Sequence, residues 1–237
     1  MRSNEITFMS LILNIETATD ICSIGVGKNG RLLAKTESDK PYEHASRITL
    51  LIEACCRQAG VTLPELDAIA VSSGPGSYTS LRVGASVAKG ICYTLDKPLI
   101  AVSTLRSLAI ASHLDSGDGS FLYCPMIDAR RMEVYAAVYN QHGEEIESPE
   151  ARLIDEASFQ EYLELGKTMV FSGNGAAKCR PVIQSDRAIF RDELHCDADH
   201  LAPLAEEAYR NGDFENVAYF TPFYLKPPNI TKPKRVL

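Results

Sequence analysis

Gly74 to Gly84, GPGSYTSLRVG, is the stretch of this 237-residue chain best suited to chemistry. It follows an apolar strand pattern and opens a helical one, so the unpaired amides of the helix start point outward, and Gly74 and Gly76 let an anion or another backbone approach closely. Two readings stay open: phosphate binding, and a structural turn, because no GxxxxGK[ST] pattern is present and Ser77 or Thr79 would suit a helix cap equally well. His44 lies just before a helix and has no second histidine four residues on, so it reads as a capping or packing residue, not half of a metal pair. His195-Cys196-Asp197-Ala198-Asp199-His200 is an acidic, looped cluster that matches no recognised ligand spacing. No GxSxG elbow exists, and no Cys-His pairing follows from the chain. The seven cysteines are odd in number, show no CxxC spacing and mostly sit in apolar runs, which marks them as reduced packing residues.

The elements that must position these residues are legible. From Leu11 the pattern is strand, turn, strand, with Asn29-Gly30 between alternating runs as a hairpin signal. ASRITLLIEACCRQAG is a helix with Ile48, Leu51, Ile52, Cys55 and Ala59 on one face and Gly60 at its end. A strand DAIAVSS, the glycine loop, a helix YTSLRVGASVAKGICYTL stopped by Asp96-Lys97-Pro98, and a strand LIAVS follow. This order predicts a mixed α/β sheet, antiparallel first and parallel afterwards. Beyond Thr104 the signals weaken: a helix LRSLAIASHL, strands FLYCPMID and MEVYAAVYN, a strand MVFSGNG, a short segment around RAIF and a helix LAPLAEEAYRNG make up a smaller second domain. No repeat or low-complexity tract appears apart from the proline-spaced end TPFYLKPPNITKPKRVL.

Composition bounds the partners. With 31 Asp plus Glu against 24 Lys plus Arg the formal charge is −7, which argues against a surface that holds nucleic-acid phosphates unaided. No apolar run approaches the roughly 20 residues of a membrane span, and the start MRSNEITFMS is unlike a signal peptide, so a cytoplasmic protein is expected, beginning at Met1 or Met9. Lys226, Lys232, Lys234 and Arg235 form a basic end that reads as a solvated tail; deleting residues 230 to 237 is expected to spare partner binding.

The glycine-loop helix carries a second apolar stripe. Leu81, Ala85, Ala88, Cys92 and Leu95 form one, committed to the sheet, and Thr79, Val83, Ser86, Val87 and Gly90 form another on the opposite side. Leu50 and Ala54 lie likewise opposite the core stripe of the first helix, near Glu53 and Arg57. These two faces are available to a partner's helices unless the second domain covers them.

LILNIETAT with CSIGV, GPGSYTSLRVG, KPLIAVSTL, IDARRMEVYAAVY, FSGNGA and PFYLKPPNIT together resemble the TsaB (YeaZ) family, accessory proteins of tRNA threonylcarbamoyladenosine synthesis, from about Ser10 to Thr231. The resemblance implies an actin-like ATPase (ribonuclease-H-like) fold of two tandem subdomains with the second reduced: residues 10–104, carrying the partner-binding helices, and residues 105–237 with the basic tail. In actin-like ATPases the turn after the first strand carries an acidic residue and hydroxyls that face phosphate, a part that falls here to Glu16 and Thr17. The sister family TsaD transfers the threonylcarbamoyl group to adenosine 37 of tRNA with a metal held by two histidines in the pattern VNHLEGH. Thr104 and Leu108 stand at those two positions here, and neither side chain can replace an imidazole.

The resemblance therefore implies a non-catalytic subunit, with no catalytic or metal residues, that pairs with a TsaD-type paralogue. A TsaE-type ATPase joins the same complex, tRNA is met only through the complex, and a homodimer forms when the paralogue is scarce. The partner site is Leu50, Glu53, Ala54, Arg57, Thr79, Arg82, Val83, Ser86, Val87 and Gly90, a helical contact burying on the order of 800 Å² per partner, at whose centre Val83→Arg should block association and leave the monomer folded. No cofactor is required; Glu16, Thr17, Gly74, Gly76 and Ser77 are the candidates for weak ATP or ADP binding. A metallopeptidase of the glycoprotease class and a weak ATPase are the alternatives.

Overall fold

Asn29 and Gly30 both take left-handed backbone angles (φ 51° and 76°), and they alone separate the register partners Lys28 and Arg31. That is the two-residue turn a right-twisted hairpin asks for. The computed structural model describes residues 10–38, 40–41, 43–113 and 121–227; Met1, Met9, Lys232, Lys234 and Arg235, and hence the start and tail expectations, lie outside them. Strands β1 (Leu11–Glu16), β2 (Ser23–Lys28) and β3 (Arg31–Glu37) run antiparallel, and β4 (Ala68–Gly74) and β5 (Leu99–Ser103) add in parallel, giving the order β3-β2-β1-β4-β5.

Alternation along these strands feeds two cores. Leu13, Ile15, Ile24, Val26, Ile69 and Val71 face helices α1 (His44–Ala59) and α2 (Tyr78–Leu95), which bury Ile48, Leu51, Ile52, Cys55, Ala85, Ala88 and Cys92 against them. The helix bounds follow from their ends: Gly60 closes α1 in the left-handed region (φ 70°), and Ser77 caps α2 by accepting from Ser80 N.

The second sheet repeats the first. Helix α3 (Thr104–Ala111) leads to β6 (Phe121–Asp128), β7 (Glu133–Tyr139), β8 (Glu145–Leu153), β9 (Thr168–Ser172) and β10 (Ala188–Arg191), in the order β10-β9-β6-β7-β8 with the same pattern of antiparallel and parallel pairs. The reduction lies in the helices: α4 (Gln160–Glu164) and α5 (Ala176–Cys179) stand where α1 and α2 stand in the first half.

The helices that end the two halves, α3 and the C-terminal helix, trade places. Leu105, Leu108 and Ala109 of α3 pack on Tyr123, Ile127 and Tyr139 of the second sheet, while Leu201, Leu204 and Ala205 of α6 (Ala198–Asn211) pack on Ile12, Ala70, Ile100 and Val102 of the first. Helix α6 was expected to complete the second unit. Its apolar stripe goes instead to the face of the first sheet that α1 and α2 leave bare. Strand β8 carries Glu145, Glu147, Glu150 and Pro149 at an edge, where one side needs no apolar cover, and so gave no strand signal. No helix among the described residues is long and apolar enough to cross a membrane.

Candidate functional site

Helices α1 and α2 lie side by side on the first sheet, and their outer faces stay uncovered. Leu50 is 54% exposed and Tyr93 86% exposed; Glu53, Arg57, Thr79, Arg82, Ser86 and Gly90 are exposed, and Ala54, Val83 and Val87 half-buried. The second half packs elsewhere. A Cβ at Gly90 would meet nothing within 4 Å, so this side of the C-terminal half of α2 is open. At Gly84, on the inner side, a Cβ would sit 2.2 Å from Thr17 Oγ1, and this is what lets α2 lie directly on the end of β1. Among the described residues Glu53 and Arg57 have no ion-pair partner, and Arg82 lies over the Tyr78 ring, 5.5 Å from its centroid. The face thus offers small and apolar residues at its centre with free charges of both signs around them, the layout of a protein contact.

Two details change the expected picture. Val83 and Val87 pack against the first core as well as facing outward, so an arginine at Val83 disturbs the fold and not the surface alone. Tyr93 extends the series 79, 83, 86, 90 by three residues and belongs to the same stripe; that spacing is present in the chain, and Tyr93 was missed because the stripe was ended at its smallest residue.

A cleft of about 690 Å³ opens between the halves. Gly76 and Ser77 line it, together with Asp20, Arg130 and Lys226. Glu16 and Thr17 do not reach it, because both side chains are fully enclosed. Glu16 Oε1 accepts from Ala18 N (2.6 Å), Oε2 meets no hydrogen-bond geometry among the described residues, and burial pushes the carboxyl up to about 7. Gly74 (φ 105°) also faces inward: its amide donates to Thr104 Oγ1 (3.2 Å), and a Cβ there would lie 2.6 Å from Phe223 O. Ser77 N donates to Ala18 O at 2.7 Å, with Gly76 pressed on the same carbonyl. Close backbone packing therefore accounts for both loop glycines.

Thr104 and Leu108, which the resemblance sets where the sister family has its histidines, are interior. Thr104 receives the Gly74 amide, and Leu108 fills the space beside Gly173. Asp197 caps α6 and pairs with Lys35 (2.6 Å), while Cys196 is buried; among the described residues no group of three or more His, Cys, Asp or Glu is placed to hold a metal. His44 opens α1 as a buried residue whose pKa is lowered by burial.

A strap crosses the cleft mouth. Lys89 Nζ donates to Ala218 O and Phe220 O (3.1 and 3.0 Å), Phe223 N donates to Ser73 O (2.7 Å), Tyr224 packs on Tyr78, and Lys226 pairs with Glu133 in the second half.

Residues 39–232 match the family model described as TsaD: tRNA N6-adenosine threonylcarbamoyltransferase. The chain is 31% identical over 223 residues to the Escherichia coli (strain K12) tRNA threonylcarbamoyladenosine biosynthesis protein TsaB, covering 91% of this chain and 94% of that one. Among solved structures, YeaZ from Pseudomonas aeruginosa is similar with a TM-score of 0.78 at 29% identity, covering 92% of this chain and 100% of that one. The activator of 2-hydroxyisocaproyl-CoA dehydratase from Clostridium difficile shares the fold alone, with a TM-score of 0.50 at 9% identity over 86% of this chain and 97% of that one.

Proposed function

The chain belongs to the TsaB family, and from that premise we propose that it serves tRNA threonylcarbamoyladenosine formation as the non-catalytic partner of a TsaD-type transferase, docked through the outer faces of α1 and α2. The observation that carries the reading is that continuous face, with Leu50, Ser86, Gly90 and Tyr93 uncovered on a first half whose other layers are filled. Thr104 and Leu108, committed to the core, support a role without group transfer of its own. When the paralogue is scarce the same face pairs two copies of this chain. A TsaE-type ATPase joins the working complex, and tRNA is reached only there, in keeping with a charge of −7.

The test is reconstitution. Purified chain, TsaD-type paralogue and the ATPase, given threonylcarbamoyl-adenylate and unmodified tRNA, should yield modified nucleoside, and leaving this chain out should abolish the yield. Modification by this chain alone, or an undiminished yield without it, overturns the proposal. The peptidase alternative finds no metal-ligand set among the described residues.

The cleft supports a second, weaker role. An adenine nucleotide seated at Gly76 and Ser77, without help from the enclosed Glu16 and Thr17, should bind with Kd on the order of 1 mM by calorimetric titration. Saturation near 1 μM, a thousandfold tighter by the same scale, would favour the ATPase alternative instead.

A further inference from the structure

Strand β5 is an edge of the first sheet, and its outer side is only begun. Pro98 O accepts from Ile69 N of the neighbouring strand (3.0 Å) and Leu99 O accepts from Glu215 N on the outside (2.8 Å), so by alternation Ile100 and Val102 bond inward while Ala101 presents its backbone outward and Ser103 its amide, the Ser103 carbonyl being turned into α3, which that residue caps. Among the described residues the antiparallel bridge between Leu99 and Glu215 is not continued. Beyond it the open edge is flanked by a cavity on each face of the sheet, of about 380 Å³ beside Leu204, Ala208 and Phe214, and of about 490 Å³ beside Tyr219 and Phe223. Those aromatic side chains are 46%, 83% and 48% exposed in the order Phe214, Tyr219, Phe223. Asp213 and Glu215 stand at the rim, and among the described residues neither has an ion-pair partner; the rim's Arg106 is engaged by Glu207 (3.3 Å).

We propose that this edge takes up a short extended segment of a partner protein by strand addition, a segment with consecutive apolar residues flanked by lysine or arginine. The backbone would continue the ladder at both groups of Ala101 and at the Ser103 amide. Successive side chains of an added strand point to opposite faces, so one apolar side chain would enter each cavity. The unpaired carboxylates of Asp213 and Glu215 select basic flanks and disfavour acidic ones. This surface is separate from the outer face of α1 and α2, and the inference stands whether or not the TsaD-type paralogue docks there.

The probe is a fluorescein-labelled peptide with blocked ends, Lys-Lys-Val-Phe-Val-Lys, titrated into the full chain by anisotropy, with amide spectra of Ala101 and Ser103 recorded in parallel. Saturable binding that shifts both amides is expected. N-methylation of the probe at its phenylalanine or, in a second probe, at the valine after it should in one of the two cases weaken binding about tenfold or more, because successive amides face opposite sides and one of the two is the ladder donor, and the double variant Asp213→Lys, Glu215→Lys should weaken it as much. Ala101→Pro should abolish binding, since the lost amide faces outward; if that variant melts early, the N-methyl probes and the charge reversal decide alone. Absent binding, or binding indifferent to N-methylation and to charge reversal, overturns the proposal. A concentration-dependent dimer broken by Ala101→Pro, with no probe uptake, overturns it in favour of a second copy of this chain.

Discussion

Replacing Gly90 by Arg should leave the free protein as stable as the parent or slightly more so, and should weaken capture of the TsaD-type paralogue by about a hundredfold or more. Gly90 sits inside α2, where glycine costs roughly 0.5–1 kcal/mol relative to a good helix former, and a Cβ there touches nothing within 4 Å. The substitution thus removes a helical weakness and strains no packing. In the complex the same guanidinium would lie unpaired within a helical contact, where a desolvated charge costs several kcal/mol. Gly90→Ala is the control: it gains the helix propensity without the charge and should retain most of the affinity. Val83→Arg is a poorer probe than the chain alone suggested, because Val83 packs partly on the core and its variant would lose fold and contact together. Pull-down, calorimetry and a melting curve on the Gly90 pair check the expectation. Normal binding by Gly90→Arg would place the partner elsewhere; loss of fold would place Gly90 inside the protein.

Glu16→Gln should stabilise the protein by about 2–3 kcal/mol at pH 8 and change it little at pH 4.5. The Glu16 carboxyl is fully buried, and burial raises it from 4.5 to about 7 even though the Ala18 amide and Ser72 hydroxyl favour the anion. The folded state therefore holds this proton more tightly than the unfolded chain does. Its share of stability is complete below pH 4.5, declines as the pH rises toward 7 and is absent above that. Glutamine keeps an acceptor for the Ala18 amide and never ionises, so the variant escapes the decline. Denaturant midpoints at several pH values give the test: a gap between parent and variant that opens above pH 6 supports this account, and a gap of constant size would show that shape, not charge, sets the cost.

The six elements from β1 to α2 were written in local pattern. The Asn29-Gly30 hairpin, the Gly60 and Ser77 caps and the apolar stripes of α1 and α2 each depend on neighbours within one or two turns, so their residues alone determine them. The second stripe of α2, with Ser86 and Gly90 exposed and Val83 and Val87 half-buried, was readable for the same reason, since it recurs at helical spacing along one element.

Other features depend on residues far apart and have no local signature. That the second sheet repeats the first is a property of strand order, which side-chain pattern does not encode; β8 hid because an acidic edge strand needs little apolar alternation. Helix α6 shows its amphipathic stripe plainly, but which sheet receives it was decided by the bare face formed by Ile12, Ala70, Ile100 and Val102, contributed by strands nearly one hundred or more positions away. Glu16 is the sharpest case. Its type and its place after the first strand suggested a group turned toward phosphate, whereas the closure of α2 over Thr17, made possible by Gly84, seals that corner and turns the carboxyl into a buried, proton-holding residue. Residue type fixed what Glu16 could ionise to, and the packing around it decided whether it would.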